Sequence, residues 1–321
     1  MSATAERPRS GPSPRRSPRP RPQWQPPERP VWEEPPTRAG LGAKGLILAV
    51  CCVAVLGPLW VVIVTSLSPR HVIDSAGGLV LWPEAITFVN YQELLGGGQV
   101  SRAMLVSVGV TGVGTVFSMG VSVLAAYGLS RPGSFAHRAL LMALLTTMFF
   151  SAGLIPTYLL VQTLGLADSY LALILPSAVS VFNILVLRGF FMNISQELTD
   201  SARIDGAGDL RILWTIVLPL SRAVIAVISL FYAVAYWSAW FNAMIYIDDP
   251  TKLPLQNVLM QLVQKNTALP TGLSQAVNAG ELSALGLQMA MMVLALAPVA
   301  VASPFVQRHF KKGMLIGAVK G

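Results

Sequence analysis

An all-α, polytopic membrane protein with six transmembrane helices is expected from this sequence on three grounds. The first is composition: of 321 residues 53% are hydrophobic and 12% charged, and the mean hydropathy is +0.59. A soluble domain of this length does not carry that balance. The second is the placement of charge. None occurs in six intervals, 45–69, 103–130, 139–167, 169–187, 223–247 and 282–307, and crossing the hydrocarbon core takes about 20 apolar residues. The third is asymmetry. Nineteen of the 23 Lys and Arg residues fall in the N-terminal arm, around 131–138, from 188 through the central stretch to 222, and in the C-terminal tail. Only Arg70, Arg102, Lys252 and Lys265 fall in the alternate connections. Basic connections stay on the cytoplasmic side, so both termini are expected in the cytoplasm of a bacterial plasma-membrane protein. The same distribution argues against nucleic acid, despite the net charge of +8.

Residues 1–42 are a Pro- and Arg-rich arm, as in Arg15-Arg16-Ser17-Pro18-Arg19-Pro20-Arg21-Pro22. With no hydrophobic periodicity, the arm is expected to be disordered with polyproline-like stretches. It either holds the orientation of the first span as a solvated arm, or tethers a proline-recognising partner or anionic lipid. Its charged region is too long, and the run after it spans too fully, for a cleavable signal peptide.

The six-span body covers 43–306, with spans at about 45–66, 103–129, 139–163, 169–192, 223–246 and 283–306. Cys51 and Cys52 stand side by side in the first span, and no CxxC or Cys/His cluster exists, so they read as packing residues or palmitoylation sites. In the second, Gly109, Gly112, Gly114, Gly120, Ala125 and Ala126 permit close helix approach. No GxxxxGK[ST] accompanies them. Pro156 is expected to kink the third span. The fourth uncharged interval is the shortest, so that span should run past Arg188 to Met192. Trp237, Trp240 and Tyr246 fit an interfacial belt near the outer end of the fifth. His71, His137 and His309 share no ligand spacing, so no metal site is expected. The outer connections 67–102, 164–169 and 248–281 are long enough in two cases either to meet an extracytoplasmic protein or simply to cap the bundle.

No Asp, Glu, Lys, Arg or His stands in the cores of these spans. Ion-coupled carriers need such groups for the coupling ion, so the driving energy is expected from outside the chain. Tyr158, Gln162, Asn183, Tyr232, Tyr236, Trp237 and Asn242 remain as polar positions in the spans. They either line a path for a hydroxyl-rich solute or bond one helix to another.

Between the fourth and fifth spans lies the loop 193–222, the one long polar and amphipathic stretch. Asp200, Arg203, Asp205 and Arg211 carry its charge, and Ile204, Ala207, Leu210, Leu213 and Ile216 recur at helical spacing as one apolar stripe. Gly206 and Gly208 favour two short helices with a bend, and Pro219 ends the pattern. Such a segment lies on a membrane face or docks onto a partner; it does not cross.

Asp200-Ser201-Ala202, Asp205-Gly206-Ala207 and Ile216-Val217-Leu218-Pro219 together resemble the EAA loop of binding-protein-dependent ABC importer permeases. From about residue 45 onward the chain is similar to the carbohydrate-uptake group, of the smaller maltose-permease type. The closing Gly317-Ala318-Val319-Lys320-Gly321 of the tail 307–321 fits the same group. Asp200 stands for the usual Glu, Ser201 for Ala, and Ala223 where Pro is frequent. The resemblance implies the type I importer permease fold, with residues 200–212 as a coupling helix seated in a cleft of a cytoplasmic ATPase. Asp200, Arg203 and Asp205 would pair with or cap the partner, Ile204 and Leu210 would bury against it, Gly206 would allow close approach, and Ala207 and Pro219 complete the motif. The tail would reach towards the ATPase dimer. It further implies a second permease subunit, an ATPase dimer holding ATP and Mg, an extracytoplasmic solute-binding protein, surrounding lipid, and a sugar or oligosaccharide as solute. The chain itself would be no enzyme and hold no cofactor. Rival readings are a permease of this kind for an amino acid, peptide or phosphonate, an ATP-independent carrier or channel, and a scaffold acting through the arm.

Overall fold

A computed structural model of the chain describes residues 38–265 apart from 97 and 132, residues 275, 277, 279 and 280, and residues 282–318. For 264, 265 and 305–318 only the backbone is described. Most of the arm and the last three residues of the tail therefore lie outside the described residues. Every regular element among the described residues is a helix.

The chain divides into two compact units, Met1–Val53 and Ala54–Gly321. The described part of the first is the N-terminal part of α1 (Arg38–Ser66), which buries no residue before Val64. In the second unit α2 (Arg70–Ser75) and α3 (Val89–Gly96) lead into α4 (Gln99–Leu129). Then come α5 (His137–Phe149), α6 (Leu154–Thr163), α7 (Tyr170–Ile174) and α8 (Val181–Met192). The central loop holds α9 (Gln196–Ile204), α10 (Asp209–Ile212), a π turn over Leu213–Val217 and the short α11 (Leu218–Leu220). After it follow α12 (Arg222–Trp237), α13 (Trp240–Tyr246), α14 (Leu255–Lys265) and α15 (Ala284–Ala318).

Among the described residues, three helices are long and apolar enough to cross a membrane: α1, α4 and the stretch Ala284–Pro304 of α15. Three bent pairs also qualify, α5 with α6 at 114°, α7 with α8 at 52°, and Asp209–Leu220 with α12 at 87°, giving up to six if each pair is one span. The breaks fall where local chemistry demands them. Between α5 and α6 the chain turns at Gly153, whose φ of 84° and ψ of 179° suit glycine alone. Pro156 therefore does not kink a helix as expected. It sits in the first turn of α6, where its missing N–H is one of the donors no helix satisfies. The fourth span is not continuous either: Pro176 ends α7 in a 3-10 turn, and Ser180 caps α8 by accepting the Asn183 N–H at 3.4 Å. The expected fifth span, 223–246, is α12 and α13 broken at Ser238–Ala239. The tail from 307 continues α15 as helix to Ala318.

The core lies along the seam of α4 and α12. Val100, Ala103, Ser107, Val110, Gly114, Ser118, Ser122, Ala126 and Leu129 are the buried positions of one face of α4, three or four residues apart. From α12 come Val224, Ile228, Tyr232, Tyr236 and Trp237. Gly114 is where closeness is essential, since a Cβ there would stand 2.9 Å from the Tyr236 ring. Gly109, Gly112 and Gly120, expected to pack in the same way, would meet nothing within 4 Å. The close-packing stripe is carried by serine and alanine as much as by glycine.

Candidate functional site

The central loop is built on a helix ending that its own residues specify. At the C-terminus of α9 the Gly206 N–H donates to the Arg203 carbonyl at 3.0 Å, and the Ala207 N–H to the Ala202 carbonyl at 2.9 Å. This is the Schellman closure, with Gly206 in the left-handed position at φ 80° and half-buried Ala202 and Ala207 at its hydrophobic contact positions. Asp205-Gly206-Ala207 thus forms the bend that two glycines predict, and the chain restarts at Asp209 as α10.

Beyond the bend the expected single apolar stripe divides in two. Ile212, Leu213 and Val217 are buried in the core, with Ala207, Ile216 and Leu218 packed against it. Ile204 is 86% exposed, Leu210 64% and Trp214 69%. A three-residue step falls about 60° short of a full helical turn, so a stripe drawn at that constant spacing drifts around the helix and mixes the two sets. Leu198 and Leu220 also face outward. Trp214, four residues after Leu210, belongs to the outward set and was missed; its spacing from Leu210 was the available signal. Pro219 occupies the first turn of α11 and is half-buried.

The charges of the loop pair within the chain. Asp200 and Arg203 lie 3.3 Å apart, and Arg203 approaches the Asp209 carboxylate at 3.8 Å. Arg131, just beyond the end of α4, bonds both the Asp209 carboxylate and the Tyr127 hydroxyl. Its guanidinium lies 4.3 Å from the centroid of the Tyr127 ring. The Tyr127 hydroxyl donates to the Asp209 carbonyl at 3.0 Å. The Arg131 bond, ahead of all other influences, holds the Asp209 carboxyl below the usual aspartate range. Asp205 is exposed and has no ion-pair partner among the described residues. Tyr127, Ser130, Arg131, Asp200, Arg203 and Asp209 line part of a cleft of about 510 Å³. Neither Arg131 nor Asp209 was singled out from sequence, because 78 residues separate them.

Of the polar positions in the spans, three are buried and bonded. The Tyr232 hydroxyl shares a 2.7 Å hydrogen bond with Ser122 and accepts the Ser180 N–H at 3.2 Å. The Tyr236 hydroxyl donates to the Ile174 carbonyl at 3.1 Å, so Ser118 donates to it at 2.7 Å. The Trp237 Nε1–H donates to the Ala295 carbonyl at 2.8 Å. Tyr158 and Asn242 are half-exposed. The Tyr158 ring stacks on Tyr246 at 6.2 Å, and Asn242 reaches Ser177 at 3.4 Å. Asn183 is buried near the start of α8.

A second ionic cluster ties the 164–169 connection to the segment after α13. Asp168, at φ 53°, accepts the N–H groups of Asp248 and Asp249 at 3.2 and 3.0 Å and the Lys252 ammonium at 2.5 Å. The Lys252 bond is the main cause holding the Asp168 carboxyl below its ordinary range and raising the lysine. The Asp249 carboxyl is held low mainly by the Thr251 N–H.

Residues 114–316 match the family described as "Binding-protein-dependent transport system inner membrane component". The "Polygalacturonan/rhamnogalacturonan transport system permease protein YtcP" of Bacillus subtilis (strain 168) is 40% identical over 277 residues, 86% of this chain and 96% of that protein. "Protein LplC" of the same organism is 40% identical over 241 residues, covering 75% and 81%. Among solved structures, a chain of a bacterial ABC transporter involved in the import of the acidic polysaccharide alginate superposes with a TM-score of 0.79 at 29% identity. That match covers 85% of this chain and 97% of the other.

Proposed function

The chain belongs to the binding-protein-dependent transport system inner membrane components, and from that premise we propose that it forms half of the solute path of an ATP-driven importer of sugars or oligosaccharides. It is a permease subunit and not an enzyme. A second permease completes the path, an extracytoplasmic binding protein delivers the solute, and ATP and Mg are held by a cytoplasmic ATPase dimer. Six spans, with both termini and the central loop in the cytoplasm, accord with the basic-residue asymmetry.

The observation that carries this reading is the outward face of the central loop. Ile204, Leu210 and Trp214 are left exposed on the surface of this chain, which suits a surface completed by another protein. These apolar side chains would fill the ATPase cleft, and Asp205, unpaired here, would meet it. Asp200 engages Arg203 within α9, and Arg203 reaches across the bend to Asp209. Half-exposed Tyr158 and Asn242 are the better candidates to meet solute. Buried Tyr232, Tyr236 and Trp237, their polar atoms bonded to protein, would shape the path without touching it, together with Asn183. Two of the similar proteins carry the names of uronic-acid polymers, so acidic oligosaccharides are the first solutes to try.

Gly206→Asp tests docking, with the melting temperature of the isolated permease as the control for the strain of a side chain at φ 80°. Open space surrounds Gly206 within this chain, and aspartate tolerates the left-handed region better than most residues. A charge pressed into an interface there should cost several kcal/mol. The expected outcome is loss of the co-purifying ATPase and of ATP-driven oligogalacturonide uptake, with the permease still in the membrane. Retention of both would refute docking through this loop. Uptake persisting with no ATPase present would favour the carrier reading.

A further inference from the structure

We propose that Arg131 is a positioning residue that fastens the ATPase-facing loop to α4, so that a displacement of the loop is delivered to the middle of the membrane body. This rests on the permease reading. At the end of α4 the geometry concentrates two ties to the loop on Asp209, the Arg131 guanidinium to its carboxylate and the Tyr127 hydroxyl to its carbonyl at 3.0 Å, while Arg203 of the loop itself approaches the same carboxylate at 3.8 Å. Arg131 is itself held by the Tyr127 hydroxyl and by the face of its ring. A guanidinium offers enough donors to serve the carboxylate and the phenol at once; an ammonium is a single point of charge.

What Arg131 grips is a stiff and well-connected helix. The C-terminal carbonyl of Leu129 accepts the Arg188 Nε–H at 2.7 Å, so α8 is fastened at the same level. Further along, Ser122 and Ser118 bond Tyr232 and Tyr236 of α12. Those two hydroxyls in turn hold the Ser180 N–H and the Ile174 carbonyl, on either side of the break between α7 and α8. A pull on Asp209 therefore reaches, through one helix and four side-chain bonds, the place where the fourth span is interrupted. Helix interruptions at membrane depth are where path-lining backbone is tolerated and where a hinge can act.

The test uses the whole complex, permeases with bound ATPase in lipid nanodiscs, and ATP with vanadate as the probe, which needs no knowledge of the solute. Hydrogen exchange is followed over residues 174–183. In the wild type, trapping with vanadate should change exchange there. In Arg131→Ala the ATPase should still co-purify at the same ratio, while that change falls about tenfold, equal to about 1.4 kcal/mol of coupling. Arg131→Lys should recover part of it, and Tyr127→Phe, which keeps the ring and removes the hydroxyl's bonds to Arg131 and to the Asp209 carbonyl, should lose about threefold. A merely structural role would lower the yield or melting temperature and leave the response of the assembled fraction intact. If Arg131→Ala does not accumulate, the Lys and Phe variants decide. An undiminished response in the variants overturns the proposal, as does a wild type whose 174–183 segment ignores vanadate. Failure of the ATPase to co-purify even with the wild type would instead sink the permease reading.

Discussion

The seam of α4 with α12 and the loop α9–α11 follow opposite rules. Along the seam, Ser118, Ser122, Tyr232, Tyr236 and Trp237 are buried and find partners inside the chain. Along the loop, apolar side chains are left exposed, Ile204 most of all. In a membrane, hydrophobicity does little to hold helices together, and hydrogen bonds with close small-residue contacts take its place. In water, an exposed apolar cluster finds its reason in another surface. The tyrosines and tryptophan of the seam are thus satisfied within one chain, and the loop is half of something.

Substitutions can break that contrast at either end. Gly114→Val should be the severest, driving a branched side chain into the Tyr236 ring. We expect about 3 kcal/mol of lost stability, seen as a lower melting temperature in detergent with or without the ATPase. Tyr236→Phe removes the buried hydroxyl that joins the Ile174 carbonyl to Ser118 and should cost about 2 kcal/mol by the same measurement. Ile204→Ala with Trp214→Ala should do the reverse. The isolated permease should melt within the equivalent of about 0.5 kcal/mol of the wild type, while the affinity for the ATPase falls about tenfold or more. A permease destabilised by that pair would mean the loop's apolar residues belong to the fold.

The smallest effect sharpens the comparison at the other connections. Asp168 is held below its ordinary 3.8 and Lys252 above its ordinary 10.5 by the bond between them. The contribution of the aspartate is therefore full above pH 3.8 and is lost as pH falls through its depressed value. That of the lysine is full below 10.5 and is lost as pH rises through its raised one. Asp168→Asn should lower the melting temperature by the same small amount at pH 5 and at pH 9, and the gap should close under acid. A gap that widens under acid would assign the tie to other groups.

Much of this was legible in the residues. Charge-free intervals located α1, α4 and α15, and Gly206 announced the bend between α9 and α10. The motif of Asp205-Gly206-Ala207 pointed to a partner, and its first job proved local, closing a helix. The interruptions at Gly153 and Ser238 left no mark in a count of uncharged residues, because a broken span and a whole one are equally apolar. Pro176 and Pro156 look alike in sequence; one ends a helix and the other begins one, and only the turn chemistry around each separates them. The loop's stripe divided because its three-residue steps drift around the helix, and only the packing of Ile212, Leu213 and Val217 shows which side is covered. Arg131 and Asp209 were invisible as a pair because their meeting depends on the fold of everything between them.

A photo-crosslinking amino acid in place of Ile204, in the complex assembled in membranes, reads the fate of the exposed face without inference. Irradiation should yield one product, this permease joined to the ATPase subunit, and ATP with vanadate should change its yield. Cross-links to lipid or to the second permease alone would show that the outward face of the loop meets something other than the ATPase.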